Sequence, residues 1–109
     1  MLTVSGTTQI LMYEGSVDMR KSFEGLSLIT QQAFPHQLLT GALFVFLNRR
    51  RDKMKVLYWD RDGFVIWYKR LEEGTFSKGS IKGQMSRTAF FMLLEGITPK
   101  RLQKRWNPS

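Results

Sequence analysis

Arg49, Arg50 and Arg51 follow one another directly, with Lys53 one residue further and Asp52 the one acid among them. One carboxylate cannot neutralise three adjacent guanidiniums, so they repel each other until an anion arrives. A phosphate backbone is such an anion, and arginine binds it in a two-pronged fashion. Lys55 continues the basic run. A second cluster, Lys100, Arg101, Lys104 and Arg105, repeats at spacing four, which stacks each basic pair on one helical face. Trp106 beside it could stack on a base or pack on the domain. A third pair, Arg20 and Lys21, stands where a helix should begin and its dipole disfavours cations. That placement calls either for an ion pair with Asp18 or for a ligand contact. Four neutralised phosphates would give a duplex affinity falling with salt at a log–log slope of about −3.6.

The acidic residues offer less. A two-metal nuclease or transposase centre needs about three carboxylates converging from separate elements. Asp60 and Asp62 are better read as turn residues, and Glu72-Glu73 as a solvated strand end. His36, the only histidine, follows a proline in a loop with no carboxylate or nucleophile at a telling spacing, so general-base work is not expected of it. No nucleophile elbow and no glycine-rich phosphate loop occurs. The chain contains no cysteine, which removes disulfides, thiol chemistry and Cys-ligated zinc. No catalytic residue, metal or cofactor is expected.

Composition agrees with a polyanionic partner. Seventeen Lys+Arg against nine Asp+Glu leave a net charge of +8 on 109 residues, with 42% hydrophobic residues. That is an ordinary apolar content for one globular domain with an unusual charge, pointing to nucleic acid first and an anionic membrane second. The first fifteen residues lack a basic leader and a sustained apolar core, so no signal peptide is expected. No apolar run is long enough to span a bilayer. The expected compartment is the cytoplasm.

The elements that must position these cations centre on Leu43 to Leu71. Three runs rich in Val, Ile, Leu, Phe, Tyr and Trp read as strands of an antiparallel meander. The basic tip, Asn48 to Lys53, separates the first two. Asp60-Arg61-Asp62-Gly63 separates the others as a hairpin, with Asp opening a type I turn and Gly closing it in the left-handed region. The aromatics Tyr58, Trp59, Trp67 and Tyr68 belong to the sheet, and register decides which of them face outward. Gln9 to Tyr13 is a further strand that could pair with the meander, followed by a turn at Glu14-Gly15-Ser16. Asp18 is expected to cap a helix whose apolar stripe is Met19, Phe23, Leu26, Ile29, Ala33 and Phe34. Gly25 inside it calls for a close helix–sheet contact, and Pro35 ends it. A long loop follows Leu71, with a short edge strand near Phe76. Ser86 caps a second helix with stripe Ala89, Phe90, Leu93, Leu94 and Ile97, and Gly96 as C-cap. The expectation is an α+β fold: a meander of three to five strands on two helices. It forms a single domain, 1–109, with a frayed end at 1–7 and a basic tail at 98–109.

Asp18-Met19-Arg20-Lys21-Ser22-Phe23-Glu24-Gly25-Leu26 resembles the DMRK-(G/S)-x-x-G-L signature of the TnpB accessory proteins, products of the second open reading frame of bacterial insertion-sequence family sixty-six. The resemblance continues through LFVFLNRRRDKMKVLYWDRDGFVIWYKRLEEGTF, LLEGI (93–97) and the basic end with Trp106. Many relatives carry Gly where this chain has Ser22. The resemblance implies a small protein encoded beside a separate acidic-triad transposase and needed for efficient transposition. Its implied partners are that transposase and the element's other small accessory protein. It supplies no catalytic residues, and the RNA-guided nuclease that shares the name TnpB is a different, longer protein. Residues and resemblance together lead to a non-enzymatic accessory factor of transposition that binds DNA. The alternative is an adaptor that docks on the transposase through Met19, Phe23 and the outward aromatics of the meander.

Overall fold

A computed structural model describes residues 4–76 and 83–95. Strands β1 (Ile10–Ser16), β2 (Leu43–Leu47), β3 (Lys53–Asp60), β4 (Gly63–Arg70) and β5 (Gly83–Gln84) make one sheet in the order β4-β3-β2-β1-β5, with helices α1 (Phe23–Ala33) and α2 (Arg87–Leu94). The meander β2-β3-β4 is antiparallel, as its short connections require. β1 joins it parallel to β2, pairing Ile10 with Leu43 and Met12 with Val45. A parallel pair needs a long crossover, and the segment holding α1 is that crossover. The sheet is therefore mixed and the fold is α+β.

Period-two alternation divides the side chains between two apolar clusters. Ile10, Met12, Leu43, Val45, Leu47, Met54 and Val56 face α2, with Phe90 and Leu93 packed over them. Leu11, Phe44, Phe46 and Leu57 face α1 and meet its Leu26. Covered on both sides, all five residues of β2 are buried. That is why LFVFL is continuously apolar rather than alternating.

Local detail departs from the sequence expectation at five points. β1 runs on through Glu14-Gly15-Ser16, with an irregularity between Met12 and Ser16, in place of a turn there. α1 starts at Phe23 and not at Met19; Ser22 is its N-cap and makes no side-chain capping bond. Gly25 sits against the Lys21 stem and not the sheet, since a Cβ there would come within 3.2 Å of Lys21 Cβ. Phe76 is buried outside any strand, and the edge strand is β5. In the β3–β4 hairpin the left-handed residue is Arg61 (φ 53), while Gly63 opens β4 opposite Asp60.

Arg61 thereby holds a conformation that costs an L-residue with a Cβ about 1–2 kcal/mol. Arg61→Gly is expected to stabilise the protein by about 1 kcal/mol and raise Tm by a few degrees in a thermal melt. α2 does begin as expected: the Ser86 hydroxyl accepts from Ala89 N at 3.0 Å. At its far end Lys69 Nζ donates to Leu94 O at 2.6 Å, a cation on the negative end of the helix. The expected Gly96 cap and Ile97 lie outside the described residues, as does the tail with Lys100, Arg101, Lys104, Arg105 and Trp106.

Candidate nucleic-acid interface

The basic tip is an ordered loop, built around Asn48. Asn48 Oδ1 accepts from the amides of Asp52 and Lys53, each at 3.0 Å, and Asn48 Nδ2 donates to Asp52 Oδ1 at 2.7 Å. Arg51 takes a left-handed conformation (φ 58), which tightens the turn. From outside, the segment after β4 braces the loop: Leu71 N donates to Asp52 O and Phe76 N to Arg51 O. The Asn48 hydrogen bond holds the Asp52 carboxyl below its usual range, with Lys53 and Arg50 adding to the effect against some burial. The one acid of the tip is thus committed to Asn48. Among the described residues no carboxylate lies within ion-pair distance of Arg49, Arg50 or Arg51.

Arg20 resolves its own ambiguity. Asp18 accepts from the Arg20 amide at 2.8 Å and from the Arg20 guanidinium through Nε and Nη2, the latter at 2.7 Å. Asp18 is therefore the hinge of a turn closed by Lys21 N onto Asp18 O at 3.0 Å, and it does not cap α1. Hydrogen bonds from the Arg20 guanidinium first and the Arg20 amide second, with the charges of Arg20 and Lys21, bring the Asp18 carboxyl from 3.8 down to about 2. A carboxyl titration followed by NMR should find Asp18 near 2 in the native protein. In Arg20→Ala it should return part of the way to 3.8, since the residue-20 amide still donates to the carboxyl. Because the folded pKa is depressed, the pair's contribution is present above 3.8 and lost as pH falls toward 2.

Lys55 does not join the exposed cations. Only 8% of it is accessible. Its Nζ donates to Met19 O and Lys21 O, each at 2.7 Å, and lies 4.8 Å from the centre of the Tyr68 ring. Burial pushes its pKa down from the ordinary lysine value. The expectation that Lys55 meets a ligand gives way to an internal role: its ammonium fastens the Asp18–Lys21 turn to β3.

That fastening makes the site. The turn is drawn up against the basic tip, and an open groove of about 610 Å³ runs between them. Arg20, Arg49, Arg50 and Lys53 line it together with Asp18, Asn48 and Tyr68. Arg51 borders a separate cleft with Glu14 and Ser16, and Lys21 is exposed beside the turn. Tyr68 reaches the groove because it pairs with Lys55 on the face that α1 covers only further along. Of the outward-facing aromatics it is the most open, at 50% exposure. Its neighbours Tyr58, Trp59 and Trp67 are half-buried. Sequence reasoning missed the organising part of Asn48, though an Asn four residues ahead of an Asp around a turn is a recognisable loop-closing pattern.

Among the described residues no group of three His, Asp or Glu is placed to hold a metal ion. Asp52 and Asp60 flank opposite ends of β3. No helix among the described residues is long and apolar enough to cross a membrane.

A mixed sheet between two helices, with basic side chains lining a groove at one end of its meander, defines a small α+β protein. The family model described as IS66 Orf2 like protein matches residues 8–104, and the chain belongs to that family. It is thus a transposition-associated accessory protein of an insertion sequence. Two similar proteins come from Sinorhizobium fredii (strain NBRC 101917 / NGR234). Protein y4hO is 32% identical over 112 residues, covering 100% of this chain and 97% of that protein. Protein y4jC is 29% identical over 108 residues, covering 96% and 92% respectively. No solved structure matches the chain.

Proposed function

We propose that this protein serves transposition without catalysing a reaction, by gripping DNA in the groove between the Asp18–Lys21 turn and the Asn48–Lys53 tip. The observation that carries this reading is the trio Arg49, Arg50 and Lys53 on one groove, where the nearest acid of the tip is already committed to Asn48. Arg20 also lines the groove, but its charge is offset by its ion pair with Asp18, which lines the groove as well. The mutual repulsion of fixed cations around a concavity is relieved when a phosphate binds there and releases its counterions. Arg51, Lys21 and the tail cations Lys100, Arg101, Lys104 and Arg105 would extend the contact along a longer strand. The DNA would be brought to the transposase of the same element.

Fluorescence anisotropy of labelled DNA, titrated over a range of salt, tests the proposal. Affinity should fall steeply as salt rises. Affinity indifferent to salt, or unchanged when Arg49, Arg50 and Arg51 become Ala, would end it.

One observation favours a second reading, docking on the transposase. On and after α1, Phe23, Leu28 and Leu39 are 46%, 56% and 61% exposed, apolar side chains that a protein partner could cover. Met19, by contrast, packs into the cluster beneath α1. Co-purification with the transposase that survives nuclease and high salt, and is lost in Phe23→Ser, would support docking over DNA contact.

A further inference from the structure

The groove contains one feature that phosphate binding alone does not use. Tyr68 stands on its wall, half exposed, among Arg49, Arg50 and Lys53. A phosphate clamp for duplex DNA needs only cations and hydrogen-bond donors. An open aromatic ring set among cations is the arrangement by which proteins hold single strands, the base stacking on the ring while the backbone follows the charges. Tyr68 is also fixed. Lys55 Nζ sits 4.8 Å from the ring centre while anchored to two backbone carbonyls, so the ring is held from within and remains accessible from the groove. In a duplex the bases are already stacked and paired, and their faces are closed to such a ring. A groove of about 610 Å³ lies within the range of clefts that enclose small ligands, roughly 300–1,000 Å³.

We infer that the groove takes an unpaired nucleotide, its base stacked on Tyr68 and its flanking phosphates held by Arg49, Arg50 and Lys53. The inference rests on the nucleic-acid reading above and narrows it to single-stranded or locally opened DNA. Among the described residues the other aromatics of similar exposure, Phe23 at 46% and Phe91 at 45%, do not line the groove.

The test uses the full chain and three labelled probes of equal length: a thymidylate strand, the same strand made abasic, and a duplex. The abasic strand retains every phosphate and loses every base. The intact strand should bind about tenfold or more tightly than the abasic one. Tyr68→Leu should erase that difference, and Tyr68→Phe, which keeps the ring, should retain it. If the native protein binds abasic and intact strands alike, with salt dependence preserved, the stacking inference is overturned while the phosphate clamp stands. A duplex bound more tightly than the single strand overturns it equally. If none of the three probes binds in a salt-dependent way, both readings fall. The abasic comparison needs no variant, so a misfolded Tyr68→Leu does not shelter the inference.

Discussion

Changing Arg49, Arg50 and Lys53 together to Ala is expected to weaken DNA binding by roughly two to three orders of magnitude at moderate salt. Each cation withdrawn from a phosphate removes about one released counterion, close to a tenfold effect near 0.1 M salt. The signature is in the slope. With three phosphates no longer neutralised, the log–log dependence of affinity on salt should become shallower by about 2.7 on duplex, or about 2.1 on a single strand. A merely misfolded variant would lose affinity without that matched change in slope, and circular dichroism would expose it. Arg61→Ala is the control. Its guanidinium is exposed beside Asp60 at the opposite end of β3. An eight-residue strand places it about 25 Å from the tip. A loss from Arg61→Ala about one third as large, on a logarithmic scale, as that of the triple variant would show that net charge, and not the groove, governs affinity.

Lys55→Met should lower stability by about 2 kcal/mol and Tm by roughly 10 °C. The methionine fills much of the same space, so the loss is chemical more than steric. The carbonyls of Met19 and Lys21 each lose a charged donor, and the ring of Tyr68 loses the cation beside it. Opposing this, the variant no longer buries an ammonium, which limits the net effect. The pH dependence separates the two contributions. Burial lowers the folded-state pKa of Lys55, so as pH rises toward 10.5 the folded protein releases its proton before the unfolded chain does. The unfolded chain then holds more protons, and native stability gains with pH. The native protein should therefore gain on Lys55→Met in denaturant melts as pH approaches that range. A flat difference would mean that Lys55 is not buried as an ammonium. With the Asp18–Lys21 turn unfastened, DNA binding should also weaken, because Arg20 would no longer be held against the tip.

The meander was legible because its signals are local. Alternation, β-branched and aromatic runs, and two breaks of turn residues specify β2, β3 and β4 within a few residues. The Ser86 cap was legible for the same reason, since a hydroxyl and an amide three residues apart meet whatever surrounds them. Asp18 shows where such reasoning fails. An acid before an apolar period suits an N-cap, but it equally suits a turn closed on Arg20. Lys55, thirty-four residues from Lys21 in the chain, is what holds that segment against the sheet. Arg61 shows another failure, because a hairpin can put its left-handed residue at a position other than its glycine.

By itself, the sequence determined that this is a cation-rich α+β protein with a three-stranded meander and an arginine tip whose charge its one acid cannot balance. Only the tertiary structure decided that β1 lies parallel to β2, that Lys55 is internal, and that Arg20, Tyr68 and the tip share one groove. Those outcomes depend on which distant backbone groups a buried ammonium can reach and which sheet face each helix covers. Such long-range choices are made by packing, and no window of neighbouring residues encodes them.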